Sequence, residues 1–275
     1  MRGVSKLSLL VQAGAPPRRM DGSDGDKTPR DGGCEFITDP QDVELLERLG
    51  GEHERMRTTL AHRFDVANIE ALNMLAIECV GAPEAPRRSL AAGLPDALYE
   101  HDGQLTKRIV RAATLSALMP QPGQVLWDVG AGCGSIGIEW MLSGLDLRAF
   151  AVERNAARIA MIERNAEAFG VPKLNCVHGE APAALGVLPP PDAIFVGGNV
   201  SNPKTLDECK ARLLPCGRLV ANALTLQAEN LLQAMCLEHG GELNRLQVSE
   251  ARAIGRFDVM QPAKAVLQWT WCKPA

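Results

Sequence analysis

The feature that most constrains the fold is a regular alternation of strand-like and helix-like segments between residues 106 and 239. Short apolar runs that end in turn residues alternate with stretches of helical apolar spacing. Such an alternation predicts an α/β fold with a mostly parallel sheet and helices on both faces. The predicted strands are "QVLWDVG", "LRAFAVE", "KLNCVHG", "DAIFVGG" and "GRLVANAL". The predicted helices are residues 106–118, "SIGIEWML", "RNAARIAMIERNAEAFG", "PKTLDECKARLL" and "AENLLQAMCLEHG".

The C-terminal end of the chain departs from this alternation. Two strand-like runs, "GELNRLQVSEA" and "KAVLQWTWCK", follow each other without a helical segment between them. Consecutive strands that lack a crossover helix pair antiparallel. The sequence therefore predicts an antiparallel C-terminal strand pair that closes the sheet.

The chain divides into regions of different texture. Residues 1–42 are rich in Gly, Asp, Pro and Arg, and we expect them to be disordered or poorly structured. Residues 43–80 contain "VELLERLG", with either helical or short-strand spacing, and "ALNMLAIECV", a predicted buried strand. Residues 81–92 have the composition of a linker, and residues 93–275 form the predicted α/β domain. With 46% hydrophobic residues among 275, one large core and a smaller appendage are expected.

Charge and cysteine spacing exclude several classes of protein. A net charge of -4 provides no global basic field for nucleic acid or anionic membranes. None of the eight cysteines lies in a pair with zinc-ribbon or thioredoxin spacing, so no metal site is expected. The N-terminal run "LSLLV" is shorter than a signal peptide requires, and no apolar run approaches the roughly 20 residues of a membrane span. We expect a cytoplasmic protein with reduced thiols.

The stretch "DVGAGCGSIGIEW", residues 128–140, lies at the first strand-to-helix turn, the usual nucleotide loop of such sheets. Gly132, Gly134 and Gly137 match the dinucleotide pattern, but Gly132 comes four residues after the strand tip at Asp128, which is late for a pyrophosphate loop. Glycines at every second position from Gly130 begin directly at that tip and let the backbone approach a bulky ligand. This second register favours S-adenosylmethionine over NAD.

Two carboxylates follow the next two predicted strands. Glu153 ends the second strand, and Glu180 follows the third strand in "HGEAP". The carboxyl ends of parallel strands form one edge, where ligands of open α/β sheets bind. The arrangement resembles the Rossmann-like S-adenosylmethionine methyltransferases, in which the first acid holds the ribose and the second position contacts the adenine. The alternative is that both carboxylates cap helices.

Motifs of nucleic-acid base methyltransferases are weak in this chain. The fourth strand ends in "VGGN", without the proline-rich motif of enzymes that methylate exocyclic amines. The Pro-Cys pair in "LPCG" lies in a predicted turn before the fifth strand, where Cys216 fits a turn better than a nucleophile. A nucleic-acid substrate is therefore disfavoured.

Five segments together resemble the precorrin decarboxylating methyltransferases of cobalamin biosynthesis, the CbiT-like domain. They are "GLPDALYEHDGQLTKRIVR", "WDVGAGCGSIGIEW", "HGEAP", "IFVGGN" and "EARAIGR", and the resemblance runs from about Gly93 to the C-terminus. It implies methyl transfer from S-adenosylmethionine to carbon 15 of a precorrin-6 macrocycle, with decarboxylation of the ring C acetate, in a homo-oligomer such as a tetramer. The cofactor-binding residues that it implies are Thr106, Gly130, Ala131, Gly132, Cys133, Gly134, Glu153, Glu180 and Ala181.

A second resemblance covers about Val43 to Glu78. "LLERLGGEHERMRTT" and "LNMLAIE" resemble the C-terminal end of the CbiE-like methyltransferase domain that precedes this one in fused CobL-type enzymes. Those fusions methylate carbons 5 and 15. Because only the end of that domain is recognisable, a complete carbon-5 site is not expected in this chain.

Residues that could contact the substrate are chosen for charge and position. Precorrins carry many carboxylates, which suit arginine and lysine partners. The candidates for substrate binding are Lys107, Arg108, Arg252 and Arg256, with Gly198 and Asn199 at the fourth strand end. His101 in "EHDG" is a candidate proton donor, and Arg111 shares a helix face with Lys107. The alternative for these residues is that the cations are solvated surface charges and that His101 is a surface or capping histidine. The alternatives for the whole chain are a methyltransferase of another substrate, such as tRNA, and a non-catalytic scaffold.

Overall fold

The computed structural model describes residues 7–12, 42–60, 64, 66–79 and 89–275. The chain divides into two compact units, with the boundary between residues 87 and 88. Most of the segment expected to be disordered and most of the predicted linker, residues 13–41 and 80–88, lie outside the described residues. The two units are described in turn.

The first unit is a four-stranded antiparallel sheet. Its strands are β1 (Leu7–Gln12), β2 (Asp42–Glu47), β3 (Arg55–Leu60) and β4 (Asn73–Cys79), in the order β1-β4-β2-β3. The predicted strand "ALNMLAIECV" is confirmed as β4, and "VELLERLG" takes the strand alternative as β2. Residues 7–12 differ from the expected disorder because this short apolar segment pairs with β4 along its whole length.

A buried carboxylate holds the end of this small sheet together. Glu47 at the end of β2 is fully buried and accepts hydrogen bonds from the guanidinium groups of Arg55 and Arg57 on β3. Its Oε1 also accepts the backbone N–H of Glu70 at 2.8 Å. The Arg55 contact is the largest cause that lowers the pKa of Glu47 to about 2. The carboxylate therefore remains ionised across the neutral range.

The second unit contains five α-helices and nine strands among its described residues. The helices are α1 (Arg108–Leu118), α2 (Ser135–Leu142), α3 (Ala156–Ala168), α4 (Pro203–Arg212) and α5 (Leu226–His239). The strands are β5 (Val125–Val129), β6 (Arg148–Glu153), β7 (Asn175–His178), β8 (Ala193–Val196), β9 (Arg218–Ala223), β10 (Glu242–Leu246), β11 (Ser249–Ile254), β12 (Phe257–Pro262) and β13 (Val266–Cys272).

Seven of these strands form one sheet in the order β10-β13-β9-β8-β5-β6-β7. Strands β5 to β9 are parallel, whereas β13 is antiparallel to β9 and β10 is antiparallel to β13. The predicted α/β fold, with its mostly parallel sheet and antiparallel C-terminal pair, is confirmed. β5 is central, and all five of its residues are buried.

The two faces of the sheet bury separate cores because successive strand side chains point to opposite sides. Leu126 of β5 packs in the core that contains residues of α1, α2 and α3. Its neighbour Trp127 packs in the other core, with residues of α4 and α5. Each helix layer thus covers one face and leaves the carboxyl edge of the parallel strands for the connecting loops.

The segment between β10 and β13 differs from the prediction. "GELNRLQVSEA" was expected to be one strand, but it divides into β10 in the large sheet and β11 in a separate hairpin with β12. Gly255 takes a φ of +60° at the hairpin turn, where Ile254 pairs with Phe257. All residues of β11 and β12 are exposed. A strand buried on neither face carries no apolar alternation that would reveal its boundaries.

Candidate active site

The glycine loop between β5 and α2 has the backbone geometry that its glycines predict. Gly130, Gly132 and Gly134 have φ values of +74°, +62° and +81°. A Cβ on Gly130 would lie 2.5 Å from the Cα and N of Gly198, in the loop that follows β8. The loops after two adjacent strands are therefore in direct backbone contact. The remaining loop residues are Ala131, whose N–H donates to the Val152 carbonyl, and Cys133, which is buried.

Asp128 at the tip of β5 has an unmet hydrogen-bonding group. Its side chain is fully buried, and Oδ2 accepts the N–H of Gly137 at 3.0 Å. Among the described residues, Asp128 Oδ1 is the buried side-chain oxygen or nitrogen that has no hydrogen-bond partner. Burial raises the pKa of this carboxyl to about 7. Such an orphan oxygen beside a nucleotide loop fits a polar group of a ligand, because a carboxyl accepts a hydrogen bond when ionised and donates one when protonated.

Glu153 ends β6 beside the same loop. Its Oε2 accepts the Gly132 N–H and its Oε1 accepts the Asn155 N–H, both at 3.0 Å. Asn155 caps α3 with its own side chain, so the capping alternative for Glu153 does not describe this geometry. A carboxylate has about four lone-pair sites, so Glu153 retains capacity for the two hydroxyls of a ribose.

The loops after β7 and β8 approach each other at the carboxyl edge. Glu180 is exposed and forms a 3.4 Å ion pair with Arg154, whereas Ala181 is buried. The Ala181 carbonyl accepts a hydrogen bond from the Asn199 side chain at 3.1 Å. The Asn199 amide also reaches the Thr205 hydroxyl at 3.3 Å, so this predicted substrate residue joins neighbouring loops.

A cover segment, defined here as residues 93–106, crosses the glycine loop. The carbonyl oxygen of Gln104 lies 3.0 Å from the position that a Cβ would take on Gly132. Its first residues are held by Glu139 of α2, which accepts the N–H groups of Gly93 and Leu94 at 2.6 and 3.0 Å. The Tyr99 hydroxyl donates to the same carboxylate at 2.8 Å.

Arg111 completes this buried connection. It is fully buried, and its Nε donates to Glu139 at 2.6 Å. Its other nitrogens donate to Asp96 and to the carbonyl oxygens of Thr106 and Leu94. Because its donors are all directed at the cover segment and α2, Arg111 supports the segment, and we do not carry it forward as a catalytic candidate.

The middle of the cover segment is attached to α3. Asn165, which is buried, exchanges two hydrogen bonds with the backbone of Glu100 and donates a third to the Cys133 carbonyl, all at 2.9 Å. The Glu100 side chain forms a bidentate pair with Arg164. The candidate His101 is exposed, and its Nδ1 accepts the Gly103 N–H at 3.1 Å.

The predicted substrate cations differ in their exposure and in the groups that they contact. Lys107 is 59% exposed and lies 3.7 Å from Asp96, and Arg108 donates to the Gly93 carbonyl at 2.8 Å. Arg252 lies on β11 and pairs with Glu250, and Arg256 stacks over Phe257 in the hairpin turn. The hairpin leaves the sheet from the same edge as the glycine loop, because β10 runs parallel to β9 and β13 runs antiparallel to it.

Three of the residues that shape the site were not identified from the sequence. Glu139, Arg158 and Asn165 are helix residues whose partners are remote along the chain. A carboxylate in the apolar helix "SIGIEWML" is the one local signal that could have found Glu139, because charged residues are rarely buried without a partner. Arg158 and Asn165 lie in a polar helix, where such residues attract no notice.

The sheet order, the glycine loop and the acid at the second strand end define a Rossmann-like methyltransferase. Within that class, the chain belongs to the family of the precorrin methyltransferase domain, whose profile matches residues 97–273. This confirms the family resemblance of the sequence. Within the described residues, no helix has the length and apolarity needed to cross a bilayer.

Named relatives share the same domain. A precorrin-6Y C(5,15)-methyltransferase [decarboxylating] of Sinorhizobium sp is 49% identical over 229 residues, which are 83% of this chain and 55% of that protein. A probable cobalt-precorrin-6B C(15)-methyltransferase (decarboxylating) of Pyrobaculum calidifontis is 34% identical over 61% of this chain and 89% of that protein. The crystal structure of the C-terminal domain of precorrin-6Y C5,15-methyltransferase from Rhodobacter capsulatus has a TM-score of 0.65 and 41% identity, and covers 68% of this chain and all of that one. The chain spans about half the length of the first of these relatives.

Proposed function

We propose that the chain binds S-adenosylmethionine at the glycine loop, methylates carbon 15 of a precorrin-6 macrocycle and decarboxylates its ring C acetate. The family match over residues 97–273 is the observation that carries this proposal. Both curated relatives described above carry carbon 15 and decarboxylation in their names. Carbon-5 methylation is outside the proposal, because the family match lies in the second unit.

The residues present fit the cofactor. Because Gly130, Gly132 and Gly134 carry no Cβ, the loop packs directly against Gly198, Gln104 and Ile162, which fixes its shape beside the strand tip. Asp128 offers an unpartnered buried acceptor at the strand tip, and Glu153 has acceptor capacity for ribose hydroxyls. When bound, S-adenosylmethionine supplies a methyl group on a positively charged sulfur, which is already a good leaving group.

The chain's own contribution is positioning. Holding two reactants in line removes much of the entropic barrier of a bimolecular transfer. The rigid contacts of the cover segment and of the loops after β7 and β8 serve this role, because each is fixed by hydrogen bonds to a neighbouring loop or helix. The conjugated macrocycle can itself accept the electron pair that the departing carboxylate leaves behind.

The carboxyl edge beside this site suits a large ring with acidic side chains. Leu224 and Leu226, after β9, are 58% and 75% exposed, and Ile109 in the first turn of α1 is 56% exposed. The neighbouring Lys107 side chain is 59% exposed. Apolar side chains and an exposed cation match the flat face and the peripheral carboxylates of a precorrin.

The direct test is mass spectrometry of precorrin-6B after incubation with S-adenosylmethionine and the purified chain. We expect a product that has lost one carboxyl group and gained one methyl group. Glu153→Ala should abolish or strongly reduce this product, because its carboxylate is proposed to hold the ribose. Glu167→Ala is the matched control, since it removes an exposed carboxylate from α3. An unchanged macrocycle in the presence of measurable cofactor binding would refute the substrate assignment.

We also propose that copies of the chain assemble through the hairpin of β11 and β12. Four of its apolar side chains are exposed, three of them on the same face of the hairpin, and such apolar exposure marks interaction surfaces. They are Ile254, Phe257, Val259 and Met260. Light scattering should give a mass above one chain for the wild type and a smaller mass for a Phe257→Asp, Met260→Asp variant. A monomeric wild type would refute this assembly.

A further inference from the structure

Arg158 on α3 lies between two carboxylates that belong to different parts of the site. Its Nε donates to Asp102 Oδ2 in the cover segment at 2.8 Å. Its Nη1 lies 3.8 Å from Oε1 of Glu153, the proposed ribose acceptor. The Arg158 side chain is only 25% exposed, so these charges are partly shielded from water. One guanidinium therefore faces both the cofactor site and the segment that covers it.

The contacts around Arg158 form a closed circuit. Asp102 Oδ1 accepts the N–H of Gln104 at 3.0 Å, which fixes the local turn of the cover segment. The Gln104 carbonyl lies against Gly132, and the Gly132 N–H donates to Glu153 Oε2. Glu153 then faces Arg158 again through Oε1. The circuit thus connects the cover segment with the Glu153 carboxylate through two routes, one by Arg158 and one by Gly132.

Arg164, six residues further along α3, provides a contrast. It forms a bidentate pair with Glu100 of the same cover segment, with N···O distances of 2.6 and 2.8 Å. Both partners are about half exposed, and the contact does not involve Glu153. The two arginines thus attach the same segment to the same helix, but of the two only Arg158 also faces the Glu153 carboxylate, the proposed ribose acceptor.

We propose that Arg158 is a positioning residue for the cofactor. It orients the Glu153 carboxylate toward the ribose hydroxyls and couples that orientation to the cover segment through Asp102. The inference rests on the proposed function, because it assumes that Glu153 holds a ribose. An arginine suits this role because its planar fork presents separate donors to two carboxylates, which a lysine ammonium cannot do with the same geometry.

The test is calorimetric binding of two ligands, S-adenosylhomocysteine and its 2′-deoxyadenosyl analogue, to the full chain. The wild type should prefer the ligand with the complete ribose by about tenfold or more, the value of a hydrogen bond to a charged group. Arg158→Gln should reduce this preference to about threefold or less, because the charge that faces Glu153 Oε1 is lost and the Gly132 and Asn155 N–H groups alone then hold the carboxylate. Arg164→Gln, the matched control, should retain the wild-type preference.

Each outcome separates this inference from the proposed function. If Arg158→Gln weakens both ligands equally, or leaves the preference unchanged, the positioning role is refuted while the cofactor assignment stands. If the wild type binds neither ligand, the proposed function itself fails. Asp102→Asn provides a second variant that leaves the arginine in place. Its loss of affinity should not add to that of Arg158→Gln, and additive losses would refute the coupling through Asp102.

Discussion

Replacement of Glu139 by glutamine should strongly destabilise the second unit. Its carboxylate is buried and accepts hydrogen bonds from Arg111, from the Tyr99 hydroxyl and from the N–H groups of Gly93 and Leu94. The neutral amide leaves the fully buried Arg111 without its principal counter-charge and directs a donor at groups that are themselves donors. Breaking a buried ion pair on one side costs about 3–5 kcal/mol.

Urea unfolding followed by circular dichroism measures this loss of free energy, and thermal unfolding followed in the same way measures the change in Tm. For a unit of this size, about 1 kcal/mol corresponds to a shift of about 2–4 °C in Tm, so we expect a decrease of about 6–20 °C. Glu167→Gln, on the exposed face of α3, should change the free energy of unfolding by less than about 0.5 kcal/mol.

A double variant tests whether the cost arises from the unpaired charge. Arg111→Met combined with Glu139→Gln should lose less stability than the sum of the two single variants, because no buried cation remains. The reasoning would be refuted if Glu139→Gln alone lost less than about 1 kcal/mol, or if the two losses were additive. Either result would mean that water or another group compensates Arg111.

Three further predictions concern glycine geometry and pH. Gly130→Ala should abolish binding of S-adenosylhomocysteine in calorimetry because its Cβ would overlap Gly198. The control Gly170→Ala should bind normally, because Gly170 has a φ of +75° but open space around it. Retained binding by Gly130→Ala would contradict the close contact of the loops. Burial raises the pKa of Asp128 to about 7, so the native state holds a proton that the unfolded chain releases. Stability relative to Asp128→Asn should therefore fall as pH rises from about 4 to about 7. The same pH dependence of the free energy of urea unfolding in both proteins would contradict this. The pH dependence contributed by Glu47 has the opposite sign, since Arg55 lowers the pKa of Glu47 to about 2. Its stabilisation of the first unit should be lost as pH falls from about 4 toward 2, which should be seen as faster hydrogen exchange in β2 and β3. Glu47→Gln should lack this acid dependence.

Much of the second unit could be predicted because its signals are local. The strand "VLWDV" is short and wholly apolar around Asp128, as a central parallel strand requires, and the glycines that follow it have the positive φ values that only glycine adopts readily. The position of Glu153 followed from the rule that strand ends share one edge. These features depend on neighbouring residues and on general topology.

The supports of the site could not be predicted because they depend on distant pairs. Glu139 binds backbone groups 45 and 46 residues earlier, and Asn165 binds Glu100 across 65 residues. Neither partner is marked in the sequence, because backbone N–H and carbonyl groups are present at every position. The hairpin of β11 and β12 was missed for a different reason: its side chains are exposed on both faces and show no burial pattern.

The double attachment of the cover segment has a consequence for ligand exchange. Its first residues are fixed by the buried Glu139 and Arg111, and its middle by the buried Asn165, so moving the segment aside would expose polar groups that now satisfy one another. A segment that is hydrogen-bonded at separate points along its length resists displacement as a whole. We therefore expect the spent cofactor to leave along the carboxyl edge, where Gly197 and Asn199 after β8 are exposed, without displacement of the cover segment.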